Sequence, residues 1–489
     1  MPDPENLLQT AHRLDRAGQW EGAAKAYEGF LQLEPGDAGA WADYGGLLMV
    51  AGRSEAARQA CHRSLRIDPK HPGAMINLGS LLLGLGRWNE AEGLFRRVLA
   101  MDPRRNDARL ALSHGLMNKG DMESAQTVLE RAIAQDPGSL EAHRLLCRVL
   151  VHRGEGHLAC REIERRYSFL GSPSGPEVQL ELSHMALLFG EMPKGWQFYE
   201  GRLSVPIPNA PQPRPDHIRW NGEAFVGRTL LVDHEQGLGD TLMFVRYAPQ
   251  VKALGGRVVL SVQRPLAELV ATCQGIDEVV PLGDPLPPFD LHVPLLSLPW
   301  VFRTDLESIP AQIPYLSVPA RVPNRRALTH ILDASAGKLR IGLAWAGNPI
   351  HLRDAERSML PGLLAPLAVL PDVAWHSFHF GGVEEVPFPG ITPLAPHLSH
   401  FSDSAFALDA MDLVITVDTA LAHLAGALGI PTLLLLHAFP DWRWLLGRED
   451  SPWYPTLRIY RQPVQGDWET VVQRVLTDLT GQGSSHQTR

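Results

Sequence analysis

Two patterns of apolar residues divide this chain. Over the first 168 residues they recur with helical spacing in blocks of 34: Ala23, Ala57, Ala91, Ala125 and Ala159 keep one phase. Larger residues fill the packing positions between them, namely Trp41 and Tyr44, Leu78 and Leu82, Leu112 and Leu116, and Leu146 and Leu150. Gly18, Gly52, Gly86, Gly120 and Gly154 keep the same step, and so do Pro35, Pro69, Pro103 and Pro137. This spacing predicts pairs of amphipathic helices in which the glycine ends the first, the alanine lets the two approach and the proline follows the second. From residue 228 the period changes. Short apolar runs at Thr229–Asp233, Arg257–Val262, Glu278–Pro281, Arg340–Trp345, Val373–Phe378, Leu413–Thr416, Thr432–Leu436 and Arg458–Tyr460 alternate with helical stretches. Runs of that kind predict parallel sheets covered by helices on both faces.

Proline placement sharpens the division. Of 40 prolines, seven lie in residues 1–168, where a continuous helical array has little room for them, and four of those are the phase markers. A Gly/Ser/Pro joint at 171–176 follows, then another helical pair to about Leu203 with Gly190 as its turn, which reads as a degenerate sixth repeat. Five prolines between Pro206 and Pro215 make a stiff linker, and Pro281–Pro323 reads as an inter-lobe stretch. At roughly 150 residues per domain, 489 residues hold about three. The expected plan is a helical solenoid over 4–203, a linker over 204–227, an α/β lobe over 228–325, a second over 326–480, and a disordered tail over 481–489.

A 34-residue period with these markers resembles the tetratricopeptide repeat, which implies a concave groove for a peptide or protein, or else a spacer or dimerisation platform. Bulk properties mainly exclude. A net charge of −9 gives no basic footprint for nucleic acid. The four cysteines form no C-x-x-C pair, as expected of reduced thiols in the cytoplasm. The opening Met-Pro-Asp-Pro-Glu lacks the features of a signal peptide, and no apolar run reaches the 18 or so residues of a membrane span.

In open α/β sheets ligands bind where strands end, so three loops carry the candidate chemistry. His234-Glu235-Gln236-Gly237-Leu238-Gly239-Asp240 lacks the third glycine of a dinucleotide site. Gly237 and Gly239 let backbone approach a ligand there, and Asp240 is either a helix cap or a base. In Asp418-Thr419-Ala420-Leu421-Ala422-His423 a strand runs into a helix whose free N–H groups suit a phosphate, with Thr419 and His423 on one face. Gly347-Asn348-Pro349 leads to Arg357 and Ser358, where the arginine fork is either an anion ligand or half of an ion pair with Asp354 or Glu356.

Glu-Gln-Gly-Leu-Gly-Asp at 235–240, Arg-Tyr at 246–247, Gly-Leu-Ala-Trp-Ala-Gly-Asn-Pro at 342–349, Arg-Ser at 357–358, Val-Asp-Thr-Ala at 417–420 and Asp-Trp-Arg-Trp-Leu-Leu at 441–446 together resemble a known group. They look like bacterial proteins with tetratricopeptide repeats before a GT-B glycosyltransferase domain of two Rossmann-like lobes, flagellin-modifying transferases included. The C-terminal half is similar, more distantly, to ADP-heptose heptosyltransferases and, in overall plan, to protein O-GlcNAc transferases. The resemblance implies Asp240 as general base and His423 as a second catalytic residue, in the segment that binds the donor's diphosphate and sugar. It implies Gly237, Gly239, Asn348, Arg357, Ser358, Asp418, Thr419, Ala420 and Leu421 around the donor, with Ala420 where the heptosyltransferases have glycine. Ser-Phe-His-Phe-Gly at 377–381 departs from the Leu-Gln-Lys/Arg-Gly type and lacks its cation. The resemblance further implies an inverting enzyme that moves a sugar from a nucleotide sugar to a protein hydroxyl, with the acceptor, flagellin among the candidates, in the repeat groove. No Asp-x-Asp motif offers a metal site, and no cofactor is implied beyond the co-substrate. The alternatives are a repeat scaffold with a degenerate lobe, or a transferase acting on a saccharide or lipid-linked glycan.

Overall fold

The computed structural model describes residues 3–153, 155, 158, 161–162, 175–205, 214–348, 354–379 and 386–482. Several expectations fall outside them: the fifth-cycle markers Gly154 and Ala159, most of the 171–176 joint, the linker at 206–213, the Pro349 turn, Phe380 and Gly381, and the tail beyond 482. The chain forms two compact units, 1–172 and 173–489.

The first unit runs through paired helices from α1 (Pro4–Arg16) to α9 (Leu140–His152). Gly18, Gly52, Gly86 and Gly120 all take positive φ, between 68° and 80°, as a residue that stops one helix and starts the next must. Ala23, Ala57, Ala91 and Ala125 have no exposed surface, so the 34-residue phase is the phase of the helix contacts. Leu112, Leu116, Leu146 and Leu150 are buried between neighbours in the same way.

The second unit opens with α10 (Pro176–Leu188) and α11 (Met192–Tyr199). Gly190 turns between them at φ 83°, as in the repeats, yet Trp196 and Tyr199 pack within this unit, against Phe244, Trp442 and Trp453. Two sheets follow, and every pairing in them is parallel. The first has the order β1-β5-β2-β3-β4, with β1 Ile218–Arg219, β2 Thr229–Asp233, β3 Arg257–Val262, β4 Glu278–Pro281 and β5 Leu291–Pro294. The second has the order β11-β10-β9-β6-β7-β8, with β6 Leu339–Ala344, β7 Val373–Ser377, β8 Thr392–Pro393, β9 Leu413–Val417, β10 Thr432–Leu436 and β11 Leu457–Arg461.

Strand residues alternate between two cores, as a sheet covered on both faces requires. Val414, Leu434 and Leu436 join a core shared with the first sheet and with Trp196, whereas Ile415, Val417 and Leu435 pack with Val471, Val472 and Val475 of the final helix, Trp468–Gln482. The stretch Pro281–Pro323 is more than a connection, because it holds β5, which pairs with β2 from Leu230↔Leu291 to Asp233↔Pro294. Its prolines flank the strand or end it, so they cost the ladder no interior bond.

Candidate functional site

Parallel strands put all their carboxyl ends on one edge, and the three candidate loops leave from those edges. After β2 the chain passes through Gln236, which takes φ 60°, into helix α12 (Leu238–Phe244). Gly237 is the N-cap. Asp240 sits three residues inside and closes the turn by accepting the Gly237 N–H at Oδ2, 2.8 Å away. Its other oxygen, Oδ1, takes a bond from Arg443 of the β10–β11 connection, which ties the two sheets together.

After β9, Thr419 caps helix α13 (Ala420–Leu428) by accepting the Leu421 N–H, 3.3 Å away. Ala420 and Leu421 thus form its first turn. His423, one turn in, accepts or donates at Nδ1 to the Tyr454 hydroxyl, 2.9 Å away, and stacks on Trp444 at 5.0 Å between ring centroids. Burial, followed by the Arg443 charge, lowers its pKa to about 3, so the ring is neutral near pH 7. It therefore offers a fixed, uncharged hydrogen-bonding edge. Gly239 of α12 lies against that edge, and Ala420 is the next nearest neighbour of the same spot.

Arg357 and Ser358 follow β6. Of the two sequence readings of this segment the structure shows the ion pair: Arg357 pairs with Asp354 at 3.1 Å, with both side chains mostly buried rather than solvated. Ser358 accepts the Gly347 N–H at 2.9 Å and so fixes the turn that carries exposed Asn348. Asp418 shows where Arg357 points electrostatically. Burial, and after it the nearby Asp441 carboxylate, raises the Asp418 pKa; Trp444 and the charges of Arg357 and Arg443 act the other way. Burial would also raise Asp441, but Arg443 outweighs it and holds that carboxyl below its usual range. Four carboxylates, Asp240, Asp354, Asp418 and Asp441, and two guanidiniums are thus linked in one charged volume.

The residues that organise this volume carry no assigned role at the level of sequence. Arg443 is one. Arg246 is another: fully enclosed, it donates to the Trp453 carbonyl at 2.5 Å and the Tyr315 hydroxyl at 2.9 Å, and lies 4.5 Å over the Tyr454 ring. A third is Arg202, whose fork gives Glu235 two bonds of 2.8 and 2.7 Å with both side chains sealed from solvent. Ser297, Glu200 and the Tyr199 carbonyl satisfy the remaining donors of that fork. Glu235 of the Glu-Gln-Gly-Leu-Gly-Asp segment is therefore a buried anchor, and Tyr199 holds the next residue, Gln236, through a 2.9 Å bond. The available signal was the run Asp441-Trp442-Arg443-Trp444, charged residues alternating with indoles shortly after an apolar run.

A family model described as tetratricopeptide repeat matches residues 8–72, and a second with that description matches 51–115 and 82–148. The first unit is a solenoid of tetratricopeptide repeats. The chain is similar to Protein FlbA of Caulobacter vibrioides, 29% identical over 340 residues, in a match covering 63% of this chain and 56% of that protein. It thus spans little more than half of that relative, and a match of this length includes part of the second unit. Among solved structures, a tetratricopeptide repeat protein from Parabacteroides merdae is similar over 42% of this chain and 79% of its own, at 18% identity and a TM-score of 0.36. YrrB, described as a TPR protein with an unusual peptide-binding site, is similar over 34% of this chain and 86% of its own, at 20% identity and a TM-score of 0.29. Among the described residues no helix is long and apolar enough to cross a membrane.

Proposed function

We propose that residues 173–489 are a glycosyltransferase of the GT-B type, its two sheets serving as Rossmann-like lobes, and that the repeats hold a protein acceptor. The observation that carries this reading is the meeting of two strand-to-helix turns from different sheets, the Asp240 turn of α12 and the His423 turn of α13, at the carboxyl edges where ligands bind. Around that meeting lie the groups the reaction needs. The Thr419 helix end and Arg357 neutralise a diphosphate leaving group, neutral His423 bonds a sugar or phosphate oxygen, and Asp240 takes the proton of an acceptor hydroxyl as it attacks the anomeric carbon. Attack from the face opposite the leaving phosphate inverts that carbon. Repeat solenoids bind extended protein segments, which favours a protein acceptor over a free saccharide.

Purified full-length protein is screened for thermal stabilisation by nucleotide sugars, because a ligand that binds only the folded state raises the melting temperature. The stabilising donor is then incubated with candidate acceptors, flagellin included, and transfer is read by mass spectrometry. Loss of transfer in Asp240→Asn with unchanged unfolding supports the base assignment; undiminished transfer overturns it. Absence of donor binding points instead to a scaffold without turnover.

A further inference from the structure

We propose that Arg443 is an anion-operated latch, withholding Asp240 until the donor's diphosphate draws the guanidinium away; the proposal rests on the glycosyltransferase reading above. The Arg443 fork is divided between the sheets. Nη1 bonds Asp441 Oδ1 of its own segment at 2.6 Å, and Nη2 bonds Asp240 Oδ1 of α12. The guanidinium lies 4.1 Å over the Trp442 ring, and only 10% of the side chain is exposed, against 15% for Asp240.

In this arrangement both oxygens of Asp240 are engaged. Oδ2 is held by the Gly237 N–H and Oδ1 by the Arg443 guanidinium, which occupies the oxygen that would otherwise meet an acceptor hydroxyl. The same arrangement makes Arg443 a competed-for cation. Its planar fork suits a phosphate as well as a carboxylate, and a diphosphate brings more charge to it than Asp240 does. Asp441 keeps the side chain in place while Nη2 changes partner. Once Nη2 turns to phosphate, Asp240 keeps only the Gly237 N–H and its Oδ1 is open to an acceptor hydroxyl, so the base is released only when a donor is present.

Coupling of this kind is reciprocal: what removes Arg443 from Asp240 frees the base, and what neutralises Asp240 frees Arg443 for the anion. Calorimetry on the full chain uses UDP, ADP, GDP and inorganic pyrophosphate as probes, with ligand-free unfolding as the check on each variant. The expected result is that Asp240→Asn binds the preferred probe about fivefold or more tighter than wild type, the lower range of such couplings. Arg443→Gln weakens binding about tenfold or more, and Asp240→Asn adds nothing to it. Should Arg443→Gln not fold, Arg443→Lys, which keeps the charge without the fork, is the second background and should shrink the Asp240→Asn gain. A nucleoside diphosphate that binds wild type and Asp240→Asn equally overturns the latch and leaves the transferase reading standing. A gain seen with pyrophosphate alone, no nucleoside diphosphate binding, keeps the latch and overturns the nucleotide donor. Failure of every probe to bind any folded variant overturns both.

Discussion

A β-carbon placed on Gly239 would stand 2.9 Å from Cδ2 of His423, closer than real carbons approach. The imidazole has no way to yield, since Trp444 backs one face and Tyr454 holds its nitrogen. Gly239→Ala should therefore push α12 from α13, costing about 1–3 kcal/mol by overpacking. Nucleoside diphosphate affinity should fall with it. Denaturant unfolding and calorimetry on the same preparation check both; unaltered values would mean the two turns move apart freely.

Arg202 and Glu235 form a sealed pair, so removing one member strands the other. Arg202→Leu or Glu235→Leu alone should destabilise the second unit by about 3–5 kcal/mol, while the double substitution should recover much of the loss. Tryptophan fluorescence suits the measurement, because nine of the 12 tryptophans lie in residues 173–489. Two single losses that simply add in the double variant would speak against the pair acting as a unit.

Acidification should weaken the second unit in a way traceable to His423. In the folded chain this ring stays neutral down to about pH 3, whereas in the unfolded chain it takes a proton near 6.5. The unfolded state thus binds the proton that the folded state refuses, and stability falls as pH drops below about 6.5, by about 2 kcal/mol at pH 5 for one such group. Asp418 works in the opposite direction: its raised pKa favours the folded state as pH falls. Unfolding curves at pH 7.5 and 5 for wild type and His423→Phe, which keeps the stack on Trp444, should show a shallower pH dependence in the variant.

Within the solenoid, two glycines should respond with opposite signs. A β-carbon at Gly79 of α5 (Pro72–Gly84) would meet the Phe95 ring at 2.5 Å, while one at Gly93 of α6 (Trp88–Met101) would meet nothing within 4 Å. Gly79→Ala should cost about 1–3 kcal/mol. Gly93→Ala should add about 0.5–1 kcal/mol through helix propensity and a less flexible unfolded chain. Thermal unfolding followed by circular dichroism distinguishes the two.

The features legible in sequence are those with local causes. Gly18 through Gly120 reveal the repeats because a left-handed turn between helices needs glycine, and β9 and β10 reveal themselves because strands buried on both faces are near-continuous apolar runs, each with a single threonine. Strand β5 was hidden by the prolines on either side of it, although they leave its ladder intact. The Asp-Trp-Arg-Trp run marks Arg443, but its pairing could not be read, because its partner Asp240 lies 203 residues away and only the packing of two sheets brings them together. The pair α10–α11 was half legible: Gly190 announces the same turn as a repeat, but periodicity does not say which neighbour a helix will choose.

That choice has a practical side. Trp196 and Tyr199 stand against Trp442, and Arg202, in the turn that follows, pairs with buried Glu235, so these helices are masonry of the second unit although they look like the last course of the first. A gene cut at the proline run, where composition suggests a seam, would leave indoles bare and a buried acid without its counterion. A chimera that exchanges one solenoid for another, or a minimal fragment meant to stand alone, has its seam near residue 173, with Gly190 and its two helices travelling with the sheets.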